Sequence, residues 1–300
     1  MTLLAQYFSD TAALLQVGFV HNALIAAALL GLISGIISPL IVMRQMSFTV
    51  HGTSELALMG ASAALLLGVS VSSGAIIGSV LIAIVLAALS LRGRQDAVVG
   101  VVLSFGMGLS VLFIHLYPGR TSTAFSLLTG QIIGLTDTSL WTMAIVAVIV
   151  VGGVTWKWRP LLFASADPIM AAASGVNVKA LSIYFAILTG LVAAQGVQIV
   201  GSLLVIALII TPGAAAAFVT ASPVKAVILS TIFAEVAAAG GIVLSLSPGI
   251  PVSVLVTTIA FAIYLICYAI GAVQSRKATR DDIQAAKWKK IDTYAFRSSC

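Results

Sequence analysis

The sequence predicts an all-α protein, a polytopic bundle of eight or nine transmembrane helices, and three observations predict it. Of the 300 residues, 60% are hydrophobic and only 8% are charged, with a mean hydropathy of +1.17. A soluble domain carries roughly 25% charged residues, so this chain has too few to cover a water-facing surface. Its apolar residues fall in nine stretches, 21–43, 46–69, 74–91, 97–117, 140–156, 180–196, 199–219, 224–245 and 251–273. Each lies near the about 20 residues that a helix needs to cross a bilayer core. The alternating ten-residue pattern of a β-barrel is absent, which leaves helices as the spanning structure that satisfies its own backbone. Together these exclude a cytosolic enzyme, a secreted domain and a disordered chain.

Taken in order, residues 1–20 form an external segment without Lys or Arg, so the basic start of a signal peptide is missing and no cleavage is expected. Residues 21–273 form the membrane region. Residues 118–139 make an outer connection whose apolar centre suits a short helix lying at the surface. The longest inner connection is 157–179. Pro160 and Pro168 bracket it, and Asp167 followed by an Ala-rich stretch ending at Gly175 reads as a short capped helix. Within 180–219, Gly196 and Gly201 mark a break or a tight turn. The tail, 274–300, holds seven Lys or Arg and reads as a solvated segment, with Trp288 as an interfacial anchor. No sequence repeat is evident. The pairs Gly31/Gly35 and Gly130/Gly134 have the spacing that lets helices approach closely.

Orientation follows from the basic residues. With Arg44, Arg92, Arg94, Lys157, Arg159, Lys179, Lys225 and the tail inside, only Arg120 of the 15 Lys and Arg is left outside. The positive-inside rule then puts the amino terminus outside and the carboxyl terminus in the cytoplasm. The net charge of +6 is explained by this asymmetry, and no nucleic-acid partner is expected. Cys267 and Cys300 are too few for a disulfide framework or a thiolate metal cage.

Ionisable groups at bilayer depth are expensive, about 2.5–3.5 kcal/mol at the centre on insertion scales. Inside the proposed spans they are His51, Glu55 and Glu235, with His21 and His115 near span ends. His51 and Glu55 are four apart, so they project from one face of the second helix. At that spacing they can share a metal ion, pass a proton, or lock helix packing by bonding to each other. Glu235 suits either a second pathway carboxylate or a bond to a neighbouring helix. His21 and His115 read as interfacial residues. The segment HGTSE lacks the HExxH spacing of a zinc protease, and the chain has no GxxxxGK[ST] phosphate loop. Translocation fits better than covalent chemistry. A proton-coupled secondary carrier using His51, Glu55 and Glu235 is the alternative, and internal inverted repeats would favour it; none is seen.

Five segments resemble the membrane permeases of bacterial ABC importers for zinc and manganese. They are GLISGIISPLIVMRQMSFTVHGTSELALMGASAALLLG (31–68), DAVVGVVLSFGMGLSVLFIHL (96–116), LLTGQIIGLTDTSL (127–140), ADPIMAAASGVNV (166–178) and VGSLLVIALIITPGAAAAFV (200–219). The resemblance implies an all-helical permease that pairs with a second copy of itself in a bacterial cell membrane. It also implies two cytoplasmic ATP-binding subunits, so this chain is not itself an enzyme, and an external metal-binding protein that feeds it. No cofactor would be bound permanently; the metal is cargo. The stretch at about 160–178, with Asp167, Ala171 and Gly175, is implied to dock on the ATPase.

One departure stands out. The family's second helix carries Asp and then His four residues later as metal ligands; the matching positions here hold His51 and Glu55, in reversed order. Two copies about a two-fold axis would bring two imidazoles and two carboxylates together, a set that suits tetrahedral zinc. Manganese prefers a more oxygen-rich shell. The sequence therefore leans to zinc, with manganese next and iron behind.

Overall fold

A computed structural model describes residues 18–90, 95–119, 137–199, 201, 205–246 and 251–297. All secondary structure among them is helical: α1 (Gly18–Met43), α2 (Ser47–Leu66), α3 (Val71–Ser90), α4 (Gln95–Leu116), α5 (Asp137–Trp156), α6 (Trp158–Ala166), α7 (Pro168–Ala173), α8 (Val178–Ile199), α9 (Val205–Ile209), α10 (Thr211–Val219), α11 (Pro223–Ser245) and α12 (Val252–Arg297). Most of the outer connection, Gly130/Gly134, Arg92, Arg94, Arg120 and Cys300 lie outside the described residues, as does the side chain of Trp288.

Seven helices, α1, α3, α4, α5, α8, α11 and α12, are long and apolar enough to cross a membrane. The sequence predicts eight or nine. The two that differ have separate reasons. Helix α2 has the length of a span, but His51, Glu55 and its Ser and Thr residues lower its hydropathy. It is enclosed by α3, α4 and α8, so protein rather than lipid is its solvent. The expected 199–219 span is instead split into α9 and α10 at Ile210, ahead of Pro212. Of the two glycines expected to mark a break or turn, Gly196 lies inside α8, while Gly201 adopts a positive φ of 90°, a conformation that favours glycine. Helix α12 continues for 46 residues without a break at 273, although only Val252–Gln274 qualifies as a span.

Helices α1 and α8 are the centre of the bundle, each with 67% of its span buried, against 17% for α4 and α12. Their apolar side chains form one core with α5, α9, α11 and α12; Leu30, Ile33, Ile37, Phe185 and Ile209 are fully covered. The outer helices turn Val101, Phe105, Val111, Ile145, Val148 and Ile232 outward, as a lipid-facing surface requires. Near the ends of α5 stand Trp141 and Trp156, both exposed, and Lys157 Nζ lies 4.5 Å from the Trp156 ring centroid. That is the placement of an interfacial aromatic belt.

Two sets of glycines bring backbones together. A Cβ on Gly31 or Gly35 of α1 would strike Glu235 or Thr231 of α11, so this pair packs α1 on α11. On α2, Gly60 lies against Gly74 and Gly78 of α3, backbone to backbone. The split segment is held by a single hydroxyl: Ser38 Oγ on α1 donates to the Ile210 carbonyl (3.1 Å) and accepts from the Gly213 N–H (2.8 Å). Irregular backbone at membrane depth is tolerated where protein satisfies it in this way.

Candidate functional site

The first element of the site is the turn between α1 and α2. Backbone bonds from Arg44, Gln45 and Met46 to Leu40, Val42 and Ile41, each 3.1 Å, close α1 in less than a turn. Gln45 takes a left-handed φ of 54° to do so. Helix α2 then starts at Ser47 with no side-chain cap, so its N-terminal end is fixed by this turn and by packing.

On α2, His51 and Glu55 stand one turn apart. The His51 ring is half-buried and 6.3 Å from that of Phe48. Its Nδ1 is buried and has no hydrogen-bond partner, so at that atom the two residues are not locked to each other. Glu55 is 2% exposed. Gly52 faces Val99 of α4 and Leu86 of α3, while Leu56 sits in the space that Gly106 of α4 leaves open. The neighbouring hydroxyls bond back to their own helix: Thr53 Oγ1 donates to the Thr49 carbonyl (2.9 Å) and Ser54 Oγ to the His51 carbonyl (2.8 Å). What remains is a nitrogen lone pair or N–H without a partner and a carboxylate, both on a helix enclosed by its neighbours. Such groups can accept a cation or a proton.

Glu235 is half-buried on α11 against Gly31. Among the described residues, no three or more His, Cys, Asp and Glu side chains gather where they could hold a metal ion. Glu235 thus does not join His51 and Glu55 in a three-donor group, and one chain offers the pair alone. His21 and His115 are exposed at helix ends.

The connection between α5 and α8 forms two short helices meeting at Asp167. As the cap of α7, Asp167 accepts from the N–H groups of Ile169 (3.0 Å) and Met170 (2.9 Å), with Pro168 at the first helical position. This is the capped helix that the sequence predicts. Ala171 is fully buried beneath it, and Gly175 leaves it at a φ of 86° with open space around its α-carbon. The outer face of α7 presents Ile169 and Met170, 82% and 60% exposed. Their prominence is readable only once Asp167 sets the helix register.

Arg44 is the functional candidate that the sequence counts only as an inside charge. Its Nε donates to Ser165 Oγ (2.7 Å) and its Nη2 to the Leu161 carbonyl (3.4 Å), both on α6. Its guanidinium stands 4.7 Å from the ring centroid of Phe185 on α8. Burial lowers its pKa to about 10, which still leaves it charged near neutrality.

Comparison with known proteins places this arrangement. The sequence profile of the ABC 3 transport family matches residues 16–271. A manganese transport system membrane protein of Listeria monocytogenes is 29% identical over 270 residues, covering 88% of this chain and 96% of the relative. A manganese import system permease protein of Streptococcus parasanguinis is 29% identical and covers 87% and 94%. Among solved structures, PsaBC from Streptococcus pneumoniae in complex with Fab aligns with a TM-score of 0.78 at 25% identity, over 88% of this chain and 95% of that one.

Proposed function

Because the chain belongs to the ABC 3 transport family, we propose that it is the permease subunit of an ATP-driven importer of a divalent transition-metal ion, with manganese as the cargo ahead of zinc. The observation that carries the metal reading is the His51/Glu55 pair: a buried imidazole nitrogen without a partner, one turn from a buried carboxylate, on a helix enclosed by others. The choice of manganese departs from the zinc that the donor types alone favour. It is supported by the names of the relatives, which are manganese transport and import proteins.

Two donors are too few for either ion. Zinc takes four ligands, and manganese favours octahedral, oxygen-rich surroundings. A second copy related by a two-fold axis would supply another His51 and Glu55. The two carboxylates with added water then give the oxygen-rich shell that manganese prefers, and the absence of thiolate from the set favours release over storage. Glu235, away from the pair, is a further carboxylate on the route of the ion or its accompanying protons.

The driving subunits would dock at α7. Ile169 and Met170 supply an exposed apolar face, Asp167 fixes the helix, and Ala171 seats it on the bundle. Hydrolysis of ATP would then belong to two separate cytoplasmic ATP-binding subunits, and an external metal-binding protein would deliver the ion at the opposite face. The amino terminus lies outside and the carboxyl terminus inside, in a multi-pass cell-membrane protein.

The test is ATP-driven uptake of radioactive manganese by the complete transporter in proteoliposomes, with zinc as competitor. Uptake that is lost in His51→Ala and Glu55→Ala, in protein still inserted in the membrane, supports the reading. Wild-type uptake in both variants removes the metal role. Transport of zinc in preference to manganese reverses the choice of cargo.

A further inference from the structure

We propose that Arg44 is the positioning residue that couples the α6–α7 segment to the metal-bearing helix, through a bonded path from Ser165 to the α1–α2 turn. The inference rests on the importer reading above. Its physical basis lies in what Arg44 touches. The guanidinium is a rigid planar fork, and its donors cannot move independently. Here one edge is bound to Ser165 Oγ and the Leu161 carbonyl, and one face lies over Phe185. Ser165 itself donates to the Leu161 carbonyl (2.6 Å), so α6 presents a fixed acceptor pair. Phe185 and Leu161 are fully buried. A displacement of α6 therefore carries the guanidinium with it.

The other end of Arg44 is the backbone of the turn. Its N–H bonds to Leu40, and the next two residues close α1. The uncapped start of α2 follows directly, and beyond the turn α1 and α2 have little contact with each other. The N-terminal end of α2 is thus governed by the turn more than by α1. His51 lies four residues into α2 from Ser47, about 6 Å along the helix at 1.5 Å per residue. Helix α7 shares its corner with α6 at Asp167, whose backbone N–H bonds to Phe163 (3.0 Å). Motion imposed on the exposed face of α7 has a continuous bonded route to the level of the site.

The experiment compares wild type, Arg44→Ala, Arg44→Lys and Ser165→Ala in the assembled transporter, measuring manganese uptake and ATP hydrolysis together. For Arg44→Ala the expected result is ATP hydrolysis within about twofold of wild type and metal moved per ATP lowered about tenfold. Ser165→Ala, which leaves the cation over Phe185 in place, should lower the same ratio by a smaller factor. Arg44→Lys should fall between alanine and wild type. A purely structural Arg44 would lower hydrolysis and uptake in proportion, and that outcome overturns the proposal, as does a wild-type ratio in both Arg44→Ala and Ser165→Ala.

A metal-free readout separates this proposal from the importer reading. Spin labels at Phe163 on α6 and Phe48 on α2, both exposed, should keep one narrow distance in wild type with and without nucleotide. Arg44→Ala should broaden that distance or make it depend on nucleotide. Identical narrow distances in both proteins overturn the link even if the cargo is not a metal. Absence of any wild-type metal uptake, with the distance effect present, overturns the cargo instead.

Discussion

His51 and Glu55 differ in how far each is withdrawn from solvent, the imidazole half-covered and the carboxylate almost wholly so. Removing either donor should cost about tenfold or more in metal uptake, since even outer partners of a metal site cost 10–100-fold. The two residues stood out in the sequence because an ionisable group inside an apolar stretch is expensive and so conspicuous. Arg44 was not legible in the same way. Its partners, Ser165, Leu161 and Phe185, lie more than a hundred residues downstream, and nothing in their local spacing points back to it. Its lowered pKa of about 10 also makes a pH prediction. The folded-state value lies below the ordinary Arg value, so burial disfavours the cation; below about pH 10 the cation persists all the same. The ratio of metal moved to ATP spent should therefore stay flat from neutral to mildly alkaline pH, where ordinary imidazoles are neutral, measured in proteoliposomes with buffered interiors. A fall within that range would assign the coupling to a different group.

At the scale of helices, the connection between α5 and α8 was readable because capping chemistry is local: Asp167 bonds to residues two and three positions on, and Gly175 takes the left-handed exit. Replacing Gly175 by Val should cost about 1–2 kcal/mol for a left-handed L-residue and should lower uptake per ATP; normal transport by that variant would argue against α7 as the docking element. The break at Ile210 was less legible. Pro212 announces an interruption, but its stabilisation comes from Ser38, far away in the chain. Ser38→Ala strips the buried Gly213 N–H of its acceptor and should destabilise the protein by about 1–3 kcal/mol, read as earlier thermal unfolding in detergent. Gly35→Val forces a side chain into the backbone of Thr231; overpacking of this kind costs typically about 1–3 kcal/mol, and the same melting assay should register it. A melting temperature unchanged in either variant would mean that α1 does not organise the bundle as described.

For the molecule as a whole, nine apolar stretches were visible, yet among the described residues seven helices are long and apolar enough to cross a membrane. The difference is physical rather than a matter of counting. A helix wrapped by its neighbours is free to be polar, and α2 uses that freedom to carry His51 and Glu55. Orientation rests on the basic residues, and a protease site engineered at the carboxyl end should be cut only from the cytoplasmic side. Cutting from outside would reverse the assignment of both faces. The backbone contact of Gly60 with Gly74 and Gly78 has a larger consequence. With no side chains between them, α2 and α3 meet as closely as backbones allow, so a displacement of one should carry the other with it as a single hairpin.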